Sequence, residues 1–267
     1  MLTTVYADVR EMIAEQIEYR ELLYQMTMRD LRLRYKQTIM GFGWAIFMPL
    51  INTAVFSVIF TKVAPIPTPV PYPLFAYCGL LAWNFFSMSL KFAVNSLTSN
   101  ATLVSKVYFP REIFPFTAII VSLVDFAVAS IILIAMMIWY HVPISAAVLF
   151  LPVVVIVHVV FTSAIALVLA MGNLFYRDVK YLFELVITVW MFATSVVYPA
   201  SMVHGRLGLL MRLNPMTVII DAYRDVILYG TLPDPIPFTY AMIASLALCM
   251  ASWLVFHRAE FRFAESI

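Results

Sequence analysis

Charge is what this chain has least of. Only 12% of its 267 residues are Asp, Glu, Lys or Arg, 63% are hydrophobic, and the mean hydropathy is +0.93. A water-soluble domain carries about twice that share of charge, so the solvent for most of this chain is lipid. Cysteine is nearly absent too. Cys78 and Cys249 each stand alone inside an apolar run, in no metal-ligand spacing, which removes a disulfide framework and a zinc motif. No GxxxxGK[ST] occurs, so the chain has no loop to cradle nucleotide phosphates. HExxH is missing, no nucleophile–base arrangement stands at a membrane boundary, and His141, His158, His204 and His257 are scattered. Catalysis therefore has no residues to rest on, and no metal or other cofactor is expected in this chain. The first forty residues hold many charges and no apolar h-region, so no cleavable signal peptide is expected and the first span does its own targeting.

What is present is a series of long apolar runs. Six are read as spans against the roughly 20 residues a helix needs to cross a bilayer. They are 43–63, 74–97, 116–140, 146–175, 182–198 and 237–257. A proline-rich loop (APIPTPVPYP) joins the first two, and the short turn 141–145 makes the third and fourth antiparallel neighbours. With the N-terminus inside, twelve lysines and arginines fall in inner segments and four (Lys62, Arg206, Arg212, Arg224) in outer ones. That positive-inside bias puts both termini, and the charged turns 103–115 and 176–180, in the cytoplasm.

Residues 15–36 have a helical pattern with two apolar stripes, Tyr24, Met28, Leu31 and Tyr35, and Tyr19, Leu22, Leu23 and Met26; Arg29, Arg32 and Lys36 line a third face. Two apolar stripes leave little face for water, which favours a helix lying along the membrane surface, its basic residues at lipid phosphates, over a solvated one. Between spans two and three, LVSKVYFPREIFP carries Lys106, Arg111 and Glu112, and Pro110 and Pro115 fix its bends. On its residues it is equally an ordinary charged loop or a lever for a soluble, energy-supplying partner.

Residues 199–236 are too long for a turn and too apolar for a soluble loop. Asn214-Pro215 is a helix start and Gly230 a stop. Met216, Ile219, Ile220, Tyr223 and Ile227 share one face, with Asp221, Arg224 and Asp225 opposite or flanking. The segment reads as a helical hairpin entering the outer leaflet, an external gate. In the second span Asn84, Ser87, Lys91, Asn95 and Thr98 recur at helical spacing, and such a face looks at other helices or at a watery path. Trp83, Phe85 and Phe86 cluster towards its outer end; Trp83 fits an aromatic belt equally well. Phe86 and Asn84 are expected to face a path between two copies. Lys91 and Asp125 are the intramembrane charges, and a pairing that fixes helix register is favoured over a proton relay.

RELLYQMTMRDLRLRYKQTIMGFGWAIFMPL, KVYFPREIFP, FYRDVK and LNPMTVIIDAYRDVILYG, in this order and spacing, resemble the transmembrane subunit of type-2 ABC exporters for polysaccharides, nearest the O-antigen and teichoic-acid subgroup. The resemblance runs from about Arg20 to Arg258. It implies an all-α integral membrane fold: an N-terminal amphipathic interface helix (segment 1–40), a six-span domain with re-entrant external gate helices before the last span (41–258) and a cytoplasmic tail (259–267). It implies a homodimer in the bacterial inner membrane, joined to two copies of a separate ABC ATPase that holds ATP and Mg²⁺ and moving a lipid-linked glycan, with no nucleic-acid partner. On this chain's positions, Lys106, Tyr108, Phe109, Pro110, Arg111, Glu112, Arg177 and Asp178 would couple to the ATPase. Arg29, Arg32 and Lys36 would meet headgroups, and Asn84, Phe85, Phe86, Ser87, Lys91 and Asn95 would line the path. Asn214, Pro215, Asp221, Tyr223 and Arg224 would form the gate. Export of teichoic acid, capsule, drug or lipid is the nearest alternative. Outside the family stand an ion-coupled transporter using Asp125 and Lys91, for which no clear inverted repeat exists, and a membrane-embedded transferase, for which no catalytic cluster exists.

Overall fold

The computed structural model describes residues 2–36, 41, 43–106 and 109–265, and it contains eleven α-helices and no strand among them. The helices are α1 (Leu2–Glu18), α2 (Arg20–Tyr35), α3 (Gly43–Val58), α4 (Tyr72–Ser99), α5 (Ala101–Lys106), α6 (Ile113–Trp139), α7 (Leu151–Phe175), α8 (Val179–Phe192), α9 (Gly205–Leu213), α10 (Pro215–Arg224) and α11 (Pro235–Ala259). Wide π-turns continue α3 to Val63 and α10 to Tyr229. Proline sits in the first turn of α4, α7, α10 and α11, where its missing N–H breaks no helical bond. Asn214 and Asp234 cap α10 and α11 by accepting from Met216 N and Ile236 N. Gly230 stops the hairpin in the left-handed region at φ +67°, and the Ser145 side chain crowds the position a Cβ would take.

Five helices are long and apolar enough to cross a membrane: 43–63, 72–99, 113–139, 146–175 and 235–259. The fifth expected run differs. Its helix, α8, has 14 residues, about 21 Å at 1.5 Å per residue, against the roughly 30 Å of a hydrocarbon core. The chain leaves the helix after Phe192 because Arg224 takes the carbonyls of Ser195 and Val196, each at 2.6 Å. The N-terminal helix is also not continuous: it breaks at Tyr19, so that α1 lies beside α11 through Asp8–Arg258 (2.7 Å) while α2 packs on α6.

The bundle is built around α4, which packs against α3, α6, α7 and α10. In its most apolar 18-residue window 78% of the residues are buried, against 11% in α3 and 22% in α11, so α4 is the inner helix and those two face outwards. The Tyr77 hydroxyl donates to the Ala129 carbonyl of α6, and the Asn173 amide of α7 to Val94, which fix its neighbours' register. Both termini, α5 and the 176–180 turn lie at one end of the bundle; the 141–145 turn and Gly230 lie at the other, joined by Ser145 Oγ donating to the Gly230 carbonyl (3.0 Å). The α9–α10 pair is a hairpin whose turn at Asn214 meets Trp190 on α8 and Ala193 and Thr194 just after it. Trp190 stands edge-on to Phe86, 14 residues into α4, so the hairpin tip lies about 20 Å from the Tyr72 end of that helix.

Candidate functional site

One face of α4 is left open in an otherwise buried helix. Asn84, Met88, Lys91, Asn95 and Thr98 follow one another at three- and four-residue spacing with Phe92 beside Lys91, and each is at least partly exposed. Three hollows run along this stripe. The outermost is a cavity of about 290 Å³ between α3, α4 and α6, lined by Asn84 and Met88 and closed off by Arg34 and Asp125. The next holds Lys91 and Asn95 beside Asp30 and Arg34, and the last joins Asn95 and Thr98 to Arg177 and Lys180. Four cations, Arg34, Lys91, Arg177 and Lys180, thus stand along the half of the stripe towards Thr98, with amides and hydroxyls between them.

Part of the expected path does not lie there. Phe86 is fully buried within the chain, between Phe161 (5.7 Å between ring centres), Trp190 (5.2 Å) and Trp83 (5.5 Å). Phe85 packs edge-on against the His158 ring, 4.8 Å away, and is buried, although it also lines the cavity between α3, α4 and α6; Ser87 is buried as well. Phe86, nine positions before Asn95, points opposite to it, Phe85 and Ser87 lie to its two sides, and packing within the chain holds all three there. Trp83 belongs to the same interior cluster and not to an interfacial belt.

The expected Lys91–Asp125 pair is replaced. Asp125 is bound by the Arg34 guanidinium and by the Tyr35 hydroxyl, both from α2, and Arg34 also lies over the Phe92 ring at 3.8 Å. Burial and the Asp125 carboxylate raise the Tyr35 pKa, so the phenol stays a donor. Lys91 is exposed on the stripe. Sequence reasoning missed Arg34, although a lone acid within a span demands a cation and Arg34 is one of the few close to the membrane.

The residues assigned to the gate surround Arg224, which the sequence placed opposite or flanking the apolar face and which is buried. Arg224 is 2% exposed, bonds Asp221 at 3.1 Å as well as the two carbonyls, and stacks on Phe75 at 3.7 Å. Gly79 makes this possible, since a Cβ there would meet both Val196 O and Arg224 Nη2. Asp221 also accepts from Ser195 Oγ (2.9 Å), and Tyr223 reaches His158 Nδ1 at 3.3 Å. Met216, Ile219, Ile220 and Ile227 are buried as their common face required, and Pro215 opens the helix after Asn214.

The lever divides in two. Lys106, Arg177 and Asp178 are exposed at the terminal end. Phe109, Pro110, Arg111 and Glu112 are buried, and Tyr108 lies outside the described residues. Arg111 pairs with Glu260 of the tail at 2.8 Å, and Glu112 accepts from Trp253 Nε1 at 3.3 Å. Burial and the Glu112 charge push the Glu260 carboxyl up to about 7. Of the basic face on α2, Arg29 bonds Asp30 and Asn100, whereas Arg32 and Lys36 are exposed beside a shallow groove with Met28.

The described residues thus form a helical bundle with five helices able to cross a membrane, one open polar stripe along α4 and charged residues at the end of the bundle that holds α5 and the 176–180 turn. Residues 21–228 match the family described as ABC-2 type transporter, and the chain belongs to that family. It is similar to the O-antigen export system permease protein RfbA of Myxococcus xanthus, 31% identical over 259 residues, covering 96% of this chain and 99% of that one. An RfbA of the same description from Klebsiella pneumoniae is 28% identical over 247 residues, 92% of this chain and 94% of that one. The chain is thus a multi-pass permease, a transport subunit and not an enzyme.

Proposed function

We propose that this permease exports a lipid-linked, O-antigen-like polysaccharide across the bacterial inner membrane, as a homodimer bound to two copies of an ABC ATPase that supplies ATP and Mg²⁺. The observation that carries the reading is the match, over nearly the whole of both chains, to permeases named for O-antigen export. The α4 stripe supports it physically. A glycan offers many hydroxyls and apolar ring faces, and a sliding polymer needs many weak contacts; Asn84, Asn95 and Thr98 beside Met88 and Phe92 supply them. One copy leaves the stripe open on one side, and a second copy closes it into a path. Arg34, Lys91 and Arg177, with Arg32 and Lys36 nearby, give the diphosphate headgroup its cations.

In this reading both termini are cytoplasmic and the chain makes six passes, the fifth formed by α8 and completed by the turn 193–199. The α9–α10 hairpin is re-entrant and forms the external gate. Lys106, Arg177 and Asp178 touch the ATPase, while Phe109, Pro110, Arg111 and Glu112 root the lever in the bundle and carry its motion to α6 and α11. The Arg34–Asp125 pair fixes packing, which leaves no free acid for ion coupling at that depth among the described residues. The test is export in cells lacking the chain, restored by a plasmid copy together with the ATPase. Surface glycan that returns only when the ATPase can hydrolyse ATP supports the reading. Glycan accumulating unexported with both proteins present and assembled contradicts it.

A further inference from the structure

Where the lever, the last span and the tail meet, three metal-ligating side chains face one another. Glu112 immediately precedes α6, His257 lies in the last turn of α11, and Glu260 follows that helix; one ligand atom from each lies within 4.8 Å of the others. Glu112 is 1% exposed and Glu260 5%. Each carboxylate has one oxygen tied: Trp253 Nε1 donates to Glu112 Oε1 and Arg111 Nη1 to Glu260 Oε1. The other oxygens, Glu112 Oε2 and Glu260 Oε2, are buried with no hydrogen-bond partner among the described residues, and so is His257 Nδ1. That nitrogen lies 3.4 Å from Glu112 Oε1, an ion-pair distance when the imidazole is protonated, and Glu15 Oε2 of α1 stands 4.0 Å from it.

The charges do not balance. Two buried carboxylates, Glu112 and Glu260, with the partly exposed Glu15 beside them, face one guanidinium, Arg111, and the His257 imidazole. Carboxylates outnumber the cationic groups even with the imidazole protonated, and buried charge of one sign needs a counter-charge. Orphaned oxygens and an orphaned imidazole nitrogen, with the partner oxygens held by outer donors, are the arrangement of a ligand set with its second shell.

We propose that Glu112, His257 and Glu260 bind one divalent transition-metal ion, zinc by the donor set, with Glu15 as the fourth ligand. One imidazole and carboxylates suit a four-coordinate zinc ion, whose charge cancels the excess. Ligands about 2.0–2.2 Å from a tetrahedral ion stand about 3.3 Å apart, so the side chains close in by at most about 1.5 Å, within reach of small torsional changes. The ion cross-links α1, the root of the lever, the end of α11 and the tail, so the lever moves α6 and α11 as one body. The site lies away from the α4 stripe, and its existence does not depend on what cargo that stripe carries.

The test uses the full chain, tag-free in detergent, stripped with a chelator and re-equilibrated with zinc or cobalt. One zinc per chain retained through gel filtration is expected, falling by roughly 100-fold in affinity in Glu112→Gln, at least what loss of a second-shell partner costs. Cobalt gives ligand-field bands in the visible, and His257→Cys adds a thiolate-to-cobalt charge-transfer band that only direct coordination produces. Helical circular dichroism and a single elution peak establish folding, and His257→Cys decides the matter if Glu112→Gln does not fold. A folded chain that retains no zinc above the Glu112→Gln, His257→Gln double variant overturns the proposal. So does cobalt bound to folded His257→Cys without the charge-transfer band.

Discussion

Asp125 shows how a single residue in a span can be assigned a partner too early. Its neighbour by depth is Lys91, and its partners are Arg34 and Tyr35, because α2 crosses α6 at that level and presents its last turn to the acid. The choice between two cations turns on how helices are placed around one another, which one chain's hydropathy does not contain. Both partners are about a fifth exposed, so the pair is shielded without being dry. A charge-assisted hydrogen bond of this kind contributes about 1.5–3 kcal/mol. In a double-mutant cycle followed by thermal or denaturant unfolding, Arg34→Ala and Asp125→Asn are expected to be non-additive by about that amount. Lys91→Ala with Asp125→Asn should be additive within about 0.5 kcal/mol. Equal coupling in both pairs contradicts the assignment.

At the scale of elements, most helix ends were legible. The runs 43–63 and 146–175 coincide with helices in the structure, and those at 74–97 and 237–257 fall within two residues of α4 and α11, because caps and prolines bound them chemically. The Asn214 cap, the Gly230 stop and the buried face of α10 were legible for the same reason. What failed was direction within an inner helix. α4 carries its polar residues at helical spacing, and Phe86, nine positions before Asn95 and so on the opposite side, was placed on the path by its closeness to Asn84 in the chain and not by its face. The end of α8 was invisible because Arg224, 32 residues further on, sets it by taking two carbonyls. That contact makes a prediction for the hairpin. Gly79→Ala displaces the guanidinium, so it should lower the unfolding temperature about as much as Arg224→Ala does, and the double variant should be no worse than the poorer single. Full additivity would mean that Gly79 serves something other than this close approach. For the lever, Lys106→Glu and Arg177→Glu are expected to weaken co-purification with the ATPase while leaving the permease's melting unchanged. Glu112→Ala, which removes buried contacts to α11, should lower melting first. Unchanged complex formation by both exposed variants contradicts their role as the contact surface.

For the whole molecule, composition alone fixed lipid as the solvent, and the ordered motifs gave the family; neither gave the path. The open side of α4 became visible only once the other helices had covered the rest of it, leaving amides, hydroxyls and cations in one line. The central claim is that this line, closed by a second copy, carries the glycan. The most direct measurement places a photoreactive residue at Asn95 on the stripe, at Phe86 in the protomer interior, or at Ile131 on the exposed flank of α6, and illuminates cells during export. The account predicts lipid-linked glycan captured at position 95, dependent on an active ATPase, and none at 86 or 131. Capture at 131 with none at 95 would contradict it and move the path to the outer flank of the bundle.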